Sequence, residues 1–236
     1  MGVGVSTAAE RLQVSERRVR ALIDSGLLHA EQVSGVHLVD DDSLDHLVLL
    51  NDRPHVRSFS RRIAWAAAEL ADGGRAEFVT ATERSRLRSR LTRTDQSATG
   101  WVSRLRTRAA SSTRFRAGPN QLTELLADGQ VHLGGVSASN VAGDRLISTA
   151  AAEIWVADAD QLDHLVRRRG LLRSRTGNVT IRCAEVAGLR DLGGDGKNAY
   201  RLIVAADLLD HTESRARAAG ADLLTATLQE QRWRRR

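Results

Sequence analysis

The chain has 236 residues, of which 42 % are hydrophobic, and this is enough for two domains with apolar cores. Its formal net charge is +6, and arginine supplies 34 of the 35 basic residues because Lys197 is the single lysine. The one cysteine, Cys183, excludes an internal disulfide framework and a cysteine-based zinc site, and no run of about 18 apolar residues could span a bilayer. With no signal-peptide pattern at its start, the sequence predicts a cytoplasmic protein without a membrane partner.

Two short helices are predicted to open the chain. Ser6 or Thr7 can cap a helix over residues 8–12, because a hydroxyl accepts hydrogen bonds from the amides of a first turn. Ser15 can cap a second helix over residues 16–25, whose apolar face is formed by Val19, Leu22 and Ile23. A short helix, a break and a second helix with basic residues in its first turns are typical of a helix-turn-helix.

A hairpin and a third helix are predicted next. Ser34 and the glycine after it are a two-residue turn signal between strand-like runs at 31–33 and 36–39. Acidic residues then stand where a third helix would begin, at its positive end, and a linker follows near Pro54. Residues 1–52 are therefore predicted to form a winged helix-turn-helix domain, with the hairpin as its wing.

The block STAAERLQVSERRVRALIDSGLL, which begins at Ser6, resembles the winged helix-turn-helix shared by excisionases and MerR-type regulators. In that group an Ala-x-x-Leu-x-Val-Ser block precedes a helix with arginine, a Gly-Leu-Leu exit and a wing with a glycine turn. The chain departs from the group at Ala21 and Leu22, where MerR proteins often carry an aromatic pair, and at His37, where the wing often has arginine. The resemblance implies that this domain binds double-stranded DNA.

Candidate DNA contacts follow from placing the second helix in a major groove. The residues that would face bases, nearby phosphates or the DNA backbone are Ser15, Glu16, Arg17, Arg18 and Arg20. In the wing, Ser34 and His37 would touch an adjacent minor groove or a phosphate, although His37 could instead point into solvent.

The stretch before residue 110 is predicted to be helical and is rich in arginine. One helix is expected over residues 58–70, the segment Thr80–Glu83 forms a capping box for another over 81–92, and Thr99 could cap a third over 100–110.

The last two of these helices could form a second phosphate-contacting surface, for which Arg84 and Arg88 are the candidate site residues. The other arginines of these helices are Arg86, Arg90, Arg93, Arg104, Arg106 and Arg108. The alternative is an ordinary solvated face of a helical subdomain.

From residue 112 short strands and helices alternate. This pattern predicts a mixed α/β domain, so the chain as a whole is assigned to the α+β class, with the winged helix-turn-helix followed by a larger domain over 55–236. Strands are predicted over 113–117, 131–133, 153–157, 178–187 and 200–206, and helices over 121–127, 158–169 and 212–231.

This larger part resembles a second family, the AbiEi antitoxins of type IV toxin–antitoxin systems. The similar segments are ATERSRLRSRL, GGVSAS at 134–139, EIWVADADQLDHLVRRRGL and AADLLDHTESRARAAGADLL. The resemblance implies a transcriptional regulator that represses its own operon, in which a nucleotidyltransferase toxin is encoded and need not bind the antitoxin. An excisionase or MerR-like regulator and a DNA-processing enzyme remain alternatives. The larger domain could self-associate on DNA, bind a protein partner or carry an activity.

The sequence contains no strong catalytic or cofactor motif. The segment Gly193–Lys197 lacks the Gly-x4-Gly-Lys-Ser/Thr pattern of a phosphate loop, and the seven histidines show no metal-ligand spacing. Glu153, Asp207 and Asp210 could be a nuclease carboxylate set, but nothing in the sequence brings them together. We therefore expect no enzyme, no catalytic residue, no metal ligand and no cofactor.

Overall fold

The computed structural model describes residues 2–24, 28–33, 35–51, 56–93, 97–138, 150–174 and 176–230. These residues form a mixed α and β structure with two sheets. They also form two separate apolar clusters, one within residues 3–48 and one within residues 59–228, and we refer to the two parts as the N-terminal module and the larger module. Ser34 lies outside the described residues.

Three short strands and three helices form the N-terminal module. They are β1 (Gly2–Gly4), α1 (Val5–Leu12), α2 (Glu16–Asp24), β2 (Ala30–Val33), β3 (Val36–Asp40) and α3 (Asp41–Asn51). The strands form an antiparallel sheet in the order β1-β3-β2, so β3 is central. The core between sheet and helices contains Ala8, Ala9, Leu12, Val19, Leu28, Val39 and Leu44.

The predicted hairpin is confirmed, and Gly35 in its turn has a positive φ of 83°, which glycine adopts without strain. The predicted cap of the first helix is wrong. Strand β1 pairs with β3 as far as Gly4, and α1 starts directly after it with Gly4 as its N-cap, so Ser6 and Thr7 lie inside the helix. Strand β1 was not predicted, because three residues with two glycines carry no strand pattern.

The larger module packs helices on a five-stranded sheet. Its helices are α4 (Arg61–Ala71), α5 (Ala81–Leu91), α6 (Ala98–Leu105), α7 (Pro119–Leu126), α8 (Ala159–Arg169), α9 (Arg201–Leu209) and α10 (Ser214–Gln229). Its strands are β4 (Ser111–Arg116), β5 (His132–Leu133), β6 (Ala152–Val156), β7 (Leu172–Arg173) and β8 (Val179–Cys183). The strand order is β5-β6-β8-β4-β7, and only the β6–β8 pair is parallel. Among the described residues, every helix is too short or too polar to cross a membrane.

Of the two helix caps predicted in the larger module, one is confirmed and one is wrong. Thr80 accepts a hydrogen bond from the Glu83 amide at 3.3 Å while Glu83 accepts one from the Thr80 amide at 2.9 Å, so the predicted capping box is confirmed. Thr99, in contrast, is not a cap. Ser97 accepts from the Gly100 amide, and α6 runs only from Ala98 to Leu105, because the chain after it turns inward to join the sheet.

The strand predicted over 200–206 is wrong, since this segment lies in helix α9. Every residue from Leu202 to Leu208 is buried, so the segment has no polar face from which a helical period could be recognised. Helix α9 packs closely on α10. A Cβ atom at Gly220 of α10 would lie 2.8 Å from the Leu208 Cβ, so this crossing depends on glycine.

Candidate nucleic-acid interface

Helix α2 is set against α1 by a tight break. Gln13 adopts the left-handed conformation, with φ of 55°, and its amide returns to the α1 carbonyl groups. Ser15 then accepts a hydrogen bond from the Arg18 amide at 3.3 Å, so its hydroxyl acts at the start of α2 as predicted. Val19 is fully buried and holds the inner face of α2 on the core. The opposite face of α2 is thereby directed to solvent.

The predicted DNA-contacting arginines of α2 are all exposed: Arg17, Arg18 and Arg20. Arg20 forms an ion pair with Glu16, one turn earlier, with a separation of 2.8 Å between Nη2 and Oε2. The two side chains are 56 % and 48 % exposed, so the pair is a weak surface interaction that a phosphate could displace. The start of α2 therefore presents a basic surface next to the positive end of the helix.

The β2–β3 hairpin, which was predicted to be a wing, holds two of the candidate DNA contacts. His37 lies on β3 opposite Gln32 and is half-buried. The predicted contact at Ser34 falls outside the described residues.

The two arginines predicted on α5 have different surroundings. Arg84 donates hydrogen bonds to the carbonyl oxygens of Val79 and Ala76, at 2.6 and 3.4 Å, so it stabilises the loop that precedes its own helix. Arg88 is exposed.

A basic groove lies on the other side of α5, and we call it the arginine groove. It has a volume of about 520 Å³. Four arginines line it, Arg57, Arg86, Arg90 and Arg104, together with Phe59 and Glu83. Arg86, Arg90 and Arg104 belong to the two helices predicted to form a phosphate-contacting surface, whereas Arg57 was not predicted to contribute. Arg86 and Arg90 are spaced i, i+4 on α5, and this spacing indicates a shared helical face.

The carboxylates of Glu153, Asp207 and Asp210 come together in the larger module, contrary to what the sequence indicated. Arg108 joins two of them, with Nη2 lying 2.8 Å from Asp207 Oδ1 and 2.7 Å from Asp210 Oδ2. Arg182 Nη1 lies 3.4 Å from Glu153 Oε2 and 3.8 Å from Asp207 Oδ2. The sequence could not show this cluster, because its members come from α9, β6, β8 and the segment after α6.

Most of this cluster is buried, and each of its two arginines contacts two carboxylates. The Asp207 side chain is fully buried and also accepts a hydrogen bond from Trp155 Nε1 at 2.7 Å. Burial by itself would lower the pKa of Arg108, but Asp207 and Asp210 raise it well above its usual value, so Arg108 stays charged. The pKa of Arg182 is raised in the same way, by Asp207 and Glu153 against the effect of burial. These side chains are arranged to hold α9 on the sheet.

The glycines of the GGVSAS segment are explained by the same cluster. Gly135 has a φ of 44°, and a Cβ atom there would lie 1.7 Å from Glu153 Oε2. A Cβ atom at Gly134 would lie 2.7 Å from the Trp155 ring. The Ser137 hydroxyl accepts a hydrogen bond from the Glu153 amide at 2.9 Å. The segment is thus shaped to pass over Glu153 and Trp155.

No group of three or more His, Cys, Asp or Glu side chains in the described ranges is arranged to hold a metal ion. Comparison of the chain with protein-family models, with characterised proteins and with solved structures gives no match.

Proposed function

We propose that the chain is a sequence-specific, DNA-binding transcriptional regulator whose N-terminal module acts as a winged helix-turn-helix. The observation that carries this proposal is the outer face of α2, where Arg17, Arg18 and Arg20 are exposed at the start of a helix whose inner face is held by Val19. Arginine donates two hydrogen bonds in one plane, which suits guanine edges and phosphates.

The arrangement of elements supports the proposal. Helix α1, the break at Gln13 and helix α2 follow the order of a helix-turn-helix, and the β2–β3 hairpin comes next, where a wing would stand. In this proposal α2 enters the major groove, Ser15 and Arg18 contact the backbone, and the hairpin with His37 lies over an adjacent minor groove or phosphate.

The regulatory role we propose is that of a cytoplasmic, autoregulating antitoxin of the AbiEi type, which represses the operon that encodes it and a nucleotidyltransferase toxin. The sequence segments similar to that family support this part of the proposal. We assign no reaction to the chain. The candidate carboxylates Glu153, Asp207 and Asp210 lie against Arg108 and Arg182, which favours a structural role for them. A reporter gene behind the DNA upstream of the coding sequence should be repressed by the intact protein and not by Arg17→Ala/Arg20→Ala.

The direct test is a fluorescence-anisotropy titration of a duplex with that upstream sequence and of an unrelated duplex. Since a base-reading arginine contributes about 1–3 kcal/mol, Arg17→Ala/Arg20→Ala should weaken binding to the upstream duplex by roughly tenfold or more and reduce its preference over the unrelated one. The matched control is Arg114→Ala/Arg215→Ala, which removes two exposed arginines of the larger module. Unchanged affinity in Arg17→Ala/Arg20→Ala would show that α2 is not the DNA-reading helix.

A further inference from the structure

We propose that the arginine groove of the larger module is a second DNA site, which grips the sugar–phosphate backbone of a duplex without reading its sequence. This inference rests on the proposed DNA-binding function and adds a contact that the α2 face does not supply. The groove lies between α5, the segment before α4 and the end of α6.

The charge of the groove favours a polyanion. Its lining has four arginines and one carboxylate, Glu83. That carboxylate accepts hydrogen bonds from Arg62 at 2.6 and 3.1 Å and from the Thr80 amide, so its charge is already compensated from the side of α4. Among the lining residues described, the acidic side chain is therefore already paired, and it does not neutralise the arginines of the groove.

Two of the arginines are held in place before any ligand arrives. The guanidinium carbons of Arg90 and Arg104 lie 5.5 and 5.7 Å from the centroid of the Phe59 ring, within the range of a cation–π contact. The Phe59 amide in turn donates to the Arg104 carbonyl oxygen at 2.9 Å. Side chains that are fixed in advance lose less conformational entropy on binding, which favours a phosphate contact at this position.

The other two arginines stand at the rim of the groove. Arg57 and Arg86 are exposed, so they are available to a backbone that passes along it. Ser60, the N-cap residue of α4, also lines the groove, and the positive end of this helix adds to the attraction of an anion.

The aromatic ring in the groove favours backbone contact over base stacking. Phe59 is only 7 % exposed, and its ring packs edge-to-face on Trp101 with a centroid distance of 6.2 Å. Sites for single-stranded nucleic acid offer open aromatic faces on which bases stack, and this ring is covered by arginine and tryptophan instead. The groove therefore suits phosphates, and a duplex exposes phosphates while it keeps its bases stacked.

The test compares Arg57→Gln/Arg86→Gln with the charge-matched control Arg114→Gln/Arg215→Gln. Both pairs remove two exposed arginines from the larger module, but the control pair neither lines the groove nor belongs to the predicted phosphate-contacting helices. Dissociation constants of the full chain are measured for the upstream duplex and an unrelated duplex over a series of salt concentrations.

We expect the groove variant to weaken both duplexes by the same factor, on the order of tenfold at low salt, and to leave their affinity ratio unchanged. The slope of log Kd against log salt should fall by about one for each arginine removed, because fewer counterions are released. The control should keep the wild-type slope. Since all four arginines are exposed, the urea midpoint followed by tryptophan fluorescence should be the same in all three proteins.

Three results overturn the inference. Equal effects of the two variants would show a general electrostatic field, and a wild-type slope in the groove variant would show that the groove does not contact DNA. Tighter binding of a single strand of equal length than of either duplex would overturn the assignment to duplex DNA.

The failure of this inference differs from the failure of the proposed function. If the chain prefers the upstream duplex and loses that preference in Arg17→Ala/Arg20→Ala while the groove variant is unaffected, only the groove assignment is wrong. If the chain binds no duplex, both proposals are wrong.

Discussion

Arginine side chains in the N-terminal module and in the larger module differ in what surrounds them. On α2, Arg17, Arg18 and Arg20 are exposed. In the larger module Arg108 and Arg182 have side chains that are 6 % and 14 % exposed, and each contacts two carboxylates. The same residue type thus forms an exposed face on α2 and, at Arg108 and Arg182, an interior network in the larger module.

The size of the two cores explains this difference. The apolar cluster of the N-terminal module contains seven buried residues, which is too small to enclose a guanidinium group with its partners. The larger module has enough interior to surround Arg108 with Asp207, Asp210 and Trp65, whose Nε1 donates to the Arg108 carbonyl oxygen at 2.9 Å. A buried charge is tolerated only when it is paired and hydrogen-bonded, so each buried arginine requires its carboxylates. A high arginine content therefore does not by itself mark a nucleic-acid surface.

Replacement of a buried arginine should have the largest effect on the free energy of unfolding. We expect Arg108→Met to lower the free energy of unfolding by about 3–5 kcal/mol, because it leaves the fully buried Asp207 without its main partner. Urea unfolding followed by tryptophan fluorescence measures this change in the larger module, since residues 1–51 contain no tryptophan.

Two variants complete that measurement. Arg106→Met removes an exposed neighbour and should change the free energy by no more than about 0.5 kcal/mol. Arg108→Met/Asp207→Asn removes the buried charge as well, so it should recover part of the loss. If Arg108→Met is as stable as Arg106→Met, the contrast between buried and surface arginines does not hold.

An intermediate effect is expected at Glu83, where a capping box and an arginine meet. Hydrogen bonds from Arg62 and from the Thr80 amide lower the pKa of Glu83 from 4.5 to about 2. Because the pKa of Glu83 is depressed in the folded state, its charged carboxylate stabilises the fold. This stabilisation is fully present above about pH 4.5 and is lost as the pH falls toward 2. Glu83→Gln should keep the cap geometry and lose the charge, so its difference in stability from wild type should shrink over that range. The control replaces the exposed acid Asp222 with Asn and is measured over the same pH range.

The smallest effect on stability is expected at the surface ion pair of α2, which joins Glu16 and Arg20. Glu16→Gln should lower stability by no more than about 0.5 kcal/mol, since exposed i, i+4 pairs contribute little. Binding to an unrelated duplex should tighten, roughly twofold, because one negative charge near the phosphates is removed and Arg20 is released. Urea unfolding followed by circular dichroism measures the stability. Anisotropy at low and high salt measures the affinity, and the gain in affinity should vanish at high salt. Weaker binding that is confined to the upstream duplex would show instead that Glu16 reads a base.

Local chemistry in the sequence determined much of the secondary structure. The hairpin around Gly35, the Ser15 hydroxyl at the start of α2 and the Thr80–Glu83 capping box each depend on residues that are at most three positions apart, so they are visible without a fold. The mixed α and β character followed from the alternation of such signals. The same reasoning chose the wrong cap at Thr99, because Ser97 offers an equivalent hydroxyl two residues earlier.

Features that depend on distant residues were decided by the tertiary structure alone. Helix α9 is buried from Leu202 to Leu208, and only its packing on α10 and α4 shows that it is a helix. Arg108 and Asp207 are 99 positions apart, and Arg57 and Arg104 reach one groove from different segments. The sequence by itself determined which residues could start helices, turn the chain or carry charge. The fold decided which arginines are interior and which are exposed, because burial is set by packing between segments that are far apart in the chain.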